Sequence, residues 1–286
     1  MRYAAPETIE SAVGLLAAES GGVHVLAGGT DLLVRMKSGF VEPDLVVDIK
    51  RIPEMRTIIE EDGGFRIGAG VPTAEMGEHD GLEAAWPGVV EAAELIGSTQ
   101  VQGRATIAGN LCNASPAADS VPALVAAGAT ARIAGPDGVR ELPVEEVPKG
   151  PGKTALKRGE FITSIFLPKP APRSADAYLR FIPRTEMDIA VVGCGIAVTL
   201  DGKGTCTAAR VGLGAVAPTV LLVEDAAKAL IGTDLGEAAL ERVAEAVSAA
   251  CRPIDDKRGT VAFRTRVAGV LARRVAVIAR DRARSQ

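Results

Sequence analysis

Two segments of this 286-residue chain carry residue types suited to holding a charged ligand. The first is AGGTDLL, residues 27 to 33. The apolar run Val25, Leu26, Ala27 stops at Gly28 and Gly29, and a hydroxyl (Thr30) and a carboxylate (Asp31) follow before a helix-like pattern begins. Adjacent glycines remove both side chains where a strand meets a helix, so backbone N–H groups there can reach a phosphate oxygen without steric cost. Thr30 adds a hydroxyl donor, and the helix start adds partial positive charge. A tight strand–helix turn capped by Thr or Asp explains the same residues, and this segment alone leaves both readings open.

The second segment is TIAGNLCNASPAADS, residues 106 to 120. It is rich in small and polar residues (Thr106, Gly109, Asn110, Asn113, Ser115, Asp119, Ser120) and reads as a long loop between two apolar regions. Such loops inside a domain are functional or disordered. Its amides, hydroxyls and N–H groups suit a ligand with a pyrophosphate, a sugar and a heterocycle, and Ile107, Leu111 and Ala114 argue for order.

Other constellations are weaker. GAG at 68–70 is half of a dinucleotide fingerprint and lies in a hairpin pattern. GPGKT at 150–154 has a P-loop's ending, but Val147 stands where the first glycine belongs, so it reads as a loop. The two histidines, His24 and His79, read as surface or packing residues and form no metal site or Ser-His-Asp triad. The cysteines, Cys112, Cys194, Cys206 and Cys251, form no CxxC pair, which argues against zinc, an internal iron–sulfur cluster or a disulfide framework. No catalytic residue and no metal ligand are expected; a cofactor would carry any chemistry.

The bulk numbers agree. A net charge of −4 and 3% aromatic residues give no case for nucleic acid. The N-terminus has no signal-peptide core, and no run is apolar enough to span a bilayer, so no transmembrane segment and a cytoplasmic, reducing location are expected.

The elements that position these segments follow from periodicity. Ile9, Ala12, Val13 and Leu16 mark one helix face, ended by Gly21 and Gly22. A strand, the glycine pair, a short helix with Leu32, Leu33 and Met36, and the strand 45–49 complete a small α/β unit. Residues 56–69 read as a hairpin turning at Asp62-Gly63-Gly64. Helices are expected near 73–79 and 88–97, and a short one from Asp119 or Ser120 with Pro122 in its first turn. A second hairpin spans 129–142, and a strand spans 160–167. PKPAPRS, 168 to 174, reads as an interdomain linker. Strands at 177–182, 190–200 and 206–216 and helices near 224–231, 237–250 and 260–282 follow, strands before helices, the α+β order. In the last helix Val267, Val270, Leu271, Val275 and Ile278 make the apolar face, and Arg264, Arg266, Arg273, Arg274, Arg280, Arg282 and Arg284 read as its solvated face, with docking to a partner as the alternative.

Taken together and in order, LAGGTDLL, RATIAGNLCNASPAAD, GEFITSIFLP, PRTEMDIAVV, GLGAVAPT and RPIDDKRG resemble the FAD-binding, medium subunit of the xanthine dehydrogenase / aerobic carbon monoxide dehydrogenase family of molybdenum hydroxylases. The resemblance covers nearly the whole chain. It implies an α+β protein: a vanillyl-alcohol-oxidase (PCMH-type) FAD-binding domain of two α/β subdomains, about 1–53 and 54–170, then a C-terminal α+β domain of antiparallel strands and helices over 174–286. It implies FAD as cofactor. Leu26, Ala27, Gly28, Gly29, Thr30, Asp31, Leu32 and Leu33 would cradle the pyrophosphate. Thr106, Ile107, Ala108, Gly109 and Asn110 would contact phosphates, with Asp119 on the sugar side. Ile162 would pack near the adenine or flavin, and Arg180 would lie near the flavin. Arg104 and Arg180 are candidates for favouring the reduced, anionic flavin.

The resemblance further implies electron transfer from the [2Fe–2S] clusters of a small subunit to an acceptor such as NAD or a quinone. A large molybdenum–pterin subunit would hydroxylate the substrate, in a dimer of heterotrimers. The chain departs from the family's RNRATIGGN, reading QGRATIAGN, with Gly103 and Ala108 in place of an asparagine and a glycine. It also lacks the cysteine-bearing insertion of some relatives. Two alternatives stay open: a stand-alone flavin-dependent oxidoreductase of the same fold, with Ser115 or Glu186 as proton donor, and a nucleotide-binding module built on GPGKT.

Overall fold

The computed structural model describes every residue except Asp62, so the turn expected at Asp62-Gly63-Gly64 lies partly outside the described residues. The chain opens with β1 (Arg2–Ala4), α1 (Ile9–Ala18), β2 (Val23–Leu26), α2 (Leu32–Lys37) and β3 (Leu45–Asp48). The strands make a parallel sheet in the order β1-β3-β2. β3 is buried along its whole length, as a central parallel strand with both faces covered must be. β2 is an edge strand, so one row of its backbone polar groups faces away from the sheet. β1 was not expected: three residues are too few to show a period. Thr8 caps α1 by accepting the Ser11 N–H, and α1 buries Ala12 and Leu16 toward β3 and the later strand Thr130–Gly135.

Next come β4 (Ile58–Glu61) and β5 (Gly64–Gly68), then the helices α3 (Thr73–Gly77), α4 (Asp80–Ala85), α5 (Pro87–Glu94), α6 (Thr99–Gln102), α7 (Ile107–Cys112) and α8 (Ser120–Ala126). The strands β6 (Thr130–Gly135), β7 (Gly138–Pro143), β8 (Pro148–Gly150), β9 (Lys153–Thr154) and β10 (Phe161–Pro168) follow. β4-β5-β10-β6-β7 is an antiparallel sheet with the buried strand β10 at its centre. GPGKT spans the small β8–β9 hairpin and not a strand-to-helix corner, which removes the P-loop reading.

The last part contains β11 (Ser174–Phe181), β12 (Val192–Leu200), β13 (Cys206–Gly214) and β14 (Leu221–Leu222), an antiparallel sheet in that order. Then come α9 (Glu224–Leu230), α10 (Glu237–Ala250) and α11 (Val261–Arg284). α11 packs on β11, β12 and α10. Buried apolar residues fall into two clusters, one mostly from the first 167 residues and one from Ala175 onward. Among the described residues no helix is long and apolar enough to cross a membrane.

Three expectations need correction. Residues 107–112 form α7, not a loop: Thr106 accepts the Gly109 N–H at 2.9 Å, and Ile107, Ala108 and Leu111 are buried. Small residues hid its apolar face. The linker is shorter than 168–174, because β10 runs to Pro168 and β11 starts at Ser174. On α11 the buried face is mainly alanine, glycine, Leu271 and Val275, while Val270 is exposed. Arg264 is not solvated. It is 3% exposed and donates to the carbonyls of Val191 (2.8 Å) and Ala215 (3.4 Å) and to Asp256 (2.8 Å).

α8 links the two parts. Every one of its residues is buried, and it lies on β12 and β13. A Cβ on Gly195 would stand 2.7 Å from the Pro122 carbonyl oxygen, so only glycine lets the helix backbone settle onto the sheet there.

Candidate functional site

The β2–α2 corner and the start of α7 share one cavity of about 330 Å³. That is within the range of ligand pockets. One wall is Ala27, Gly28, Gly29, Thr30, Asp31 and Leu32; a second is Thr106, Ala108, Gly109 and Asn110; Thr154, Leu156, Glu160, Phe161 and Ile162 close a third side.

The two glycines do different work. A Cβ on Gly28 would overlap the Arg104 carbonyl oxygen and stand 2.8 Å from its carbon and 3.2 Å from Ala105 Cα. Gly28 therefore lets the two walls touch backbone to backbone, about 80 residues apart in sequence. Gly29 has φ +82°, a left-handed conformation that glycine adopts at no steric cost. That geometry turns the chain into α2. Lys50 braces the corner, its Nζ donating to the Ala27 carbonyl (2.9 Å) and to Asp48 Oδ1 (2.7 Å). Burial alone would raise the Asp48 carboxyl, but hydrogen bonds from Lys50 and Tyr3 hold it below its ordinary value.

Among the described residues, none of the backbone N–H groups from Gly28 to Leu32 donates a hydrogen bond within the chain. Consecutive free N–H groups at a corner make an anion-binding concavity. In the facing wall Asn110 Oδ1 accepts from the Ser120 backbone N–H (3.1 Å) and hydroxyl (2.7 Å). Both donors fix the amide's orientation and leave its NH₂ to donate. α8 thus orients a side chain of the cavity through its first residue.

The remaining expected residues are placed differently. Leu26 packs its side chain beside Gly29, Leu33 is half exposed, and Ile107 is buried in the core. None of the three lines the cavity. Asp119 and Arg180 also stand outside its lining, paired with each other at 2.8 Å with both side chains mostly buried. Burial pushes the Asp119 carboxyl up to about 6 against the pull of Arg180 and the Tyr178 hydroxyl. Ser115 and Glu186 do not reach the cavity either; Ser115 accepts the Ala117 N–H and Glu186 is exposed.

Asn113, one of the polar residues of the second segment, lines the cavity as expected, whereas His24, Arg35, Cys112, Thr154, Leu156, Glu160 and Phe161 were not expected there. Thr154 lay in the discarded GPGKT motif, and His24 read as a surface or packing residue. Burial and then Arg35 lower the His24 imidazole below its ordinary value. Asp31 is open to solvent yet faces the cavity wall, which raises its carboxyl while Arg35 lowers it. Burial pushes the Cys112 thiol up to about 12, so it is no nucleophile.

Comparison with known proteins decides which anion-bearing ligand this is. Residues 1–170 match the family model of the FAD binding domain in molybdopterin dehydrogenase. The chain belongs to this family. Residues 177–278 of the flavoprotein match the CO dehydrogenase flavoprotein C-terminal domain. It is similar to the carbon monoxide dehydrogenase medium chain of Afipia carboxidovorans, 33% identical over 99% of this chain and 98% of that one. It is also similar to the putative xanthine dehydrogenase FAD-binding subunit of Escherichia coli K12, 30% identical over 96% of this chain and 94% of that one. Its fold matches a chain of carbon monoxide dehydrogenase from Hydrogenophaga pseudoflava with a TM-score of 0.94 at 34% identity, covering 99% of this chain and 98% of that chain. The cofactor is FAD. The residues present fit it: free N–H groups and an oriented amide for the pyrophosphate, and apolar Leu156, Phe161 and Ile162 for a ring.

Proposed function

We propose that this chain is the flavin subunit of a three-component molybdenum hydroxylase. FAD, when bound, supplies electron exchange between the [2Fe–2S] clusters of a small partner and an acceptor such as NAD or a quinone. The organic substrate belongs to a large molybdenum–pterin subunit, and the assembly is a dimer of such heterotrimers in the cytoplasm. The observation that carries this reading is the corner of free N–H groups from Gly28 to Leu32 opening on the shared cavity, in a chain that covers 98% of a carbon monoxide dehydrogenase medium chain. Full-length similarity to a xanthine dehydrogenase FAD-binding subunit supports the same assembly.

The chain's own residues bind and orient. Ala27 to Leu32 hold the pyrophosphate from one wall, and Thr106, Ala108, Gly109 and Asn110 hold it from the other. Ile162 packs on the ring, and the Asp119–Arg180 pair fixes the approach of β11 to the loop before α8. We take the chain as two domains, 1–170 (with subdomains about 1–53 and 54–170) and 174–286, a division supported by the two apolar clusters.

Native purification tests the assembly. Two further chains, one with molybdenum and one with iron, should co-purify and restore substrate-dependent reduction of an acceptor. An active enzyme from this chain alone would overturn the proposal in favour of a stand-alone flavin oxidoreductase.

A further inference from the structure

We propose that His24 and Arg35 form the cationic side of the pyrophosphate pocket and that His24 takes up a proton when FAD binds. The proposal rests on the reading of the cavity as the FAD site. Both residues line the same cavity as the N–H corner, His24 from the edge strand β2 and Arg35 from α2, and they lie close enough for Arg35 to disfavour the His24 imidazolium. Arg35 sits one turn past the corner, its N–H donating to the Asp31 carbonyl at 3.0 Å. N–H dipoles alone carry only partial charge, whereas a pyrophosphate diester carries two full negative charges; a guanidinium and an imidazolium supply what the dipoles lack.

In the structure as it stands, burial and Arg35 both disfavour the imidazolium. Two phosphate charges in the cavity that His24 lines oppose that field, and a nearby opposite charge favours the charged form of an imidazole.

The other ionisable groups facing this region come from the cavity lining and from behind β2. Glu160, from the β10 side, is held below its ordinary value by Arg140, and by the Lys157 N–H, against burial. Asp48, behind β2 with Lys50, is also held low. Burial raises the Asp31 carboxyl while Arg35 lowers it, and burial holds the Cys112 thiol up at about 12. The diester itself does not titrate near neutrality. His24 is therefore the group that takes one proton from solvent, with no bond formed to the cofactor.

Two measurements on the full-length chain freed of FAD test this. The protein has two histidines, so its imidazole proton resonances can be followed individually; His79 caps α4 by accepting the Leu82 N–H and does not line the cavity. The His24 titration should move up by at least one pH unit on adding FAD. Fluorescence titration with FAD should give a Kd that rises about tenfold from roughly pH 5.5 to roughly pH 8. His24→Gln should flatten that slope, and Arg35→Gln should weaken binding about tenfold throughout. FAD bound with an unmoved His24 resonance, or an unchanged slope in His24→Gln, overturns this inference and leaves the FAD site standing. A chain that takes up no FAD at any pH overturns both.

Discussion

Replacing Gly28 by alanine is the most direct test of how the cavity is built. The added methyl meets backbone, 2.8 Å from the Arg104 carbonyl carbon and in overlap with its oxygen, so no side chain can swing away to admit it. The β2–α2 corner must retreat from the Arg104–Ala105 backbone by roughly 1 Å, a displacement large enough to cost a well-oriented site about a hundredfold. The energetics agree. A hydrogen bond to a charged group is worth about 1.5–3 kcal/mol net, and misaligning one or two of the corner's N–H donors removes about 3 kcal/mol. That corresponds to a Kd for FAD raised about a hundredfold. The fold itself should lose only about 1–3 kcal/mol, the usual cost of overpacking. The assay pairs a flavin-fluorescence titration with chemical denaturation. Gly14→Ala on α1, where an added Cβ meets nothing within 4 Å, is the control. It should gain about 0.5–1 kcal/mol and leave FAD binding alone. Gly28→Ala binding FAD within about threefold of the parent would refute the reasoning, since the two walls could then separate without disturbing the donors.

Other consequences follow from single contacts. Asn110→Asp keeps both bonds from Ser120 but replaces the donating NH₂ by an anionic oxygen; FAD affinity should fall at least about tenfold with stability nearly unchanged, as the same titration reads. Arg264→Met removes the buried donors to the Val191 and Ala215 carbonyls and should cost about 1–3 kcal/mol, read from a denaturant midpoint. Asp176 is buried between α5 and the C-terminal sheet, with Oδ1 on the Gly88 N–H at 2.9 Å and Oδ2 unpartnered. Burial chiefly, with Glu91, pushes its carboxyl up from 3.8 to about 7. A raised carboxyl pKa means the folded state keeps a proton that the unfolded state releases, so its contribution to stability is lost as pH rises from 3.8 to about 7. Asp176→Asn should remove that part of the slope of unfolding free energy against pH.

Much of the architecture was legible because single periods governed single elements. LVVD reads as a buried strand since β3 is covered on both faces, and the helix face of Ile9, Ala12, Val13 and Leu16 shows its spacing directly. α7 was not legible, because its sequence IAGNLC has one polar and two small residues among six, and its stability comes from the Thr106 cap and the contacts of Ile107 and Leu111. Nor was the burial of Arg264. An arginine on a helix of alternating charge and alanine reads as solvated, and only the tertiary arrangement brings the carbonyls beside the ends of β12 and β13, and Asp256, to it.

The site shows the same limit more sharply. Residue types exposed the glycine corner and the small-residue segment, because backbone access demands glycine and polar groups near a ligand must be ordered. What they did not expose is which glycine meets what. Gly28 was read as room for a phosphate, yet its missing side chain makes room for Arg104, and the phosphate-facing surface is the N–H row that the contact with Arg104 and the left-handed turn at Gly29 hold in place. Likewise His24, Arg35, Thr154 and Glu160 reach the cavity from four different elements. A lone histidine on an edge strand carries no local mark of a ligand, since its partner Arg35 is supplied by the turn at Gly29. The corner therefore sets two things at once. It aims the free N–H groups, and it starts α2 in the direction that returns a guanidinium to the same cavity. Any substitution that changes the hand of the turn at Gly29 should weaken FAD through both, and by more than the loss of Arg35 alone.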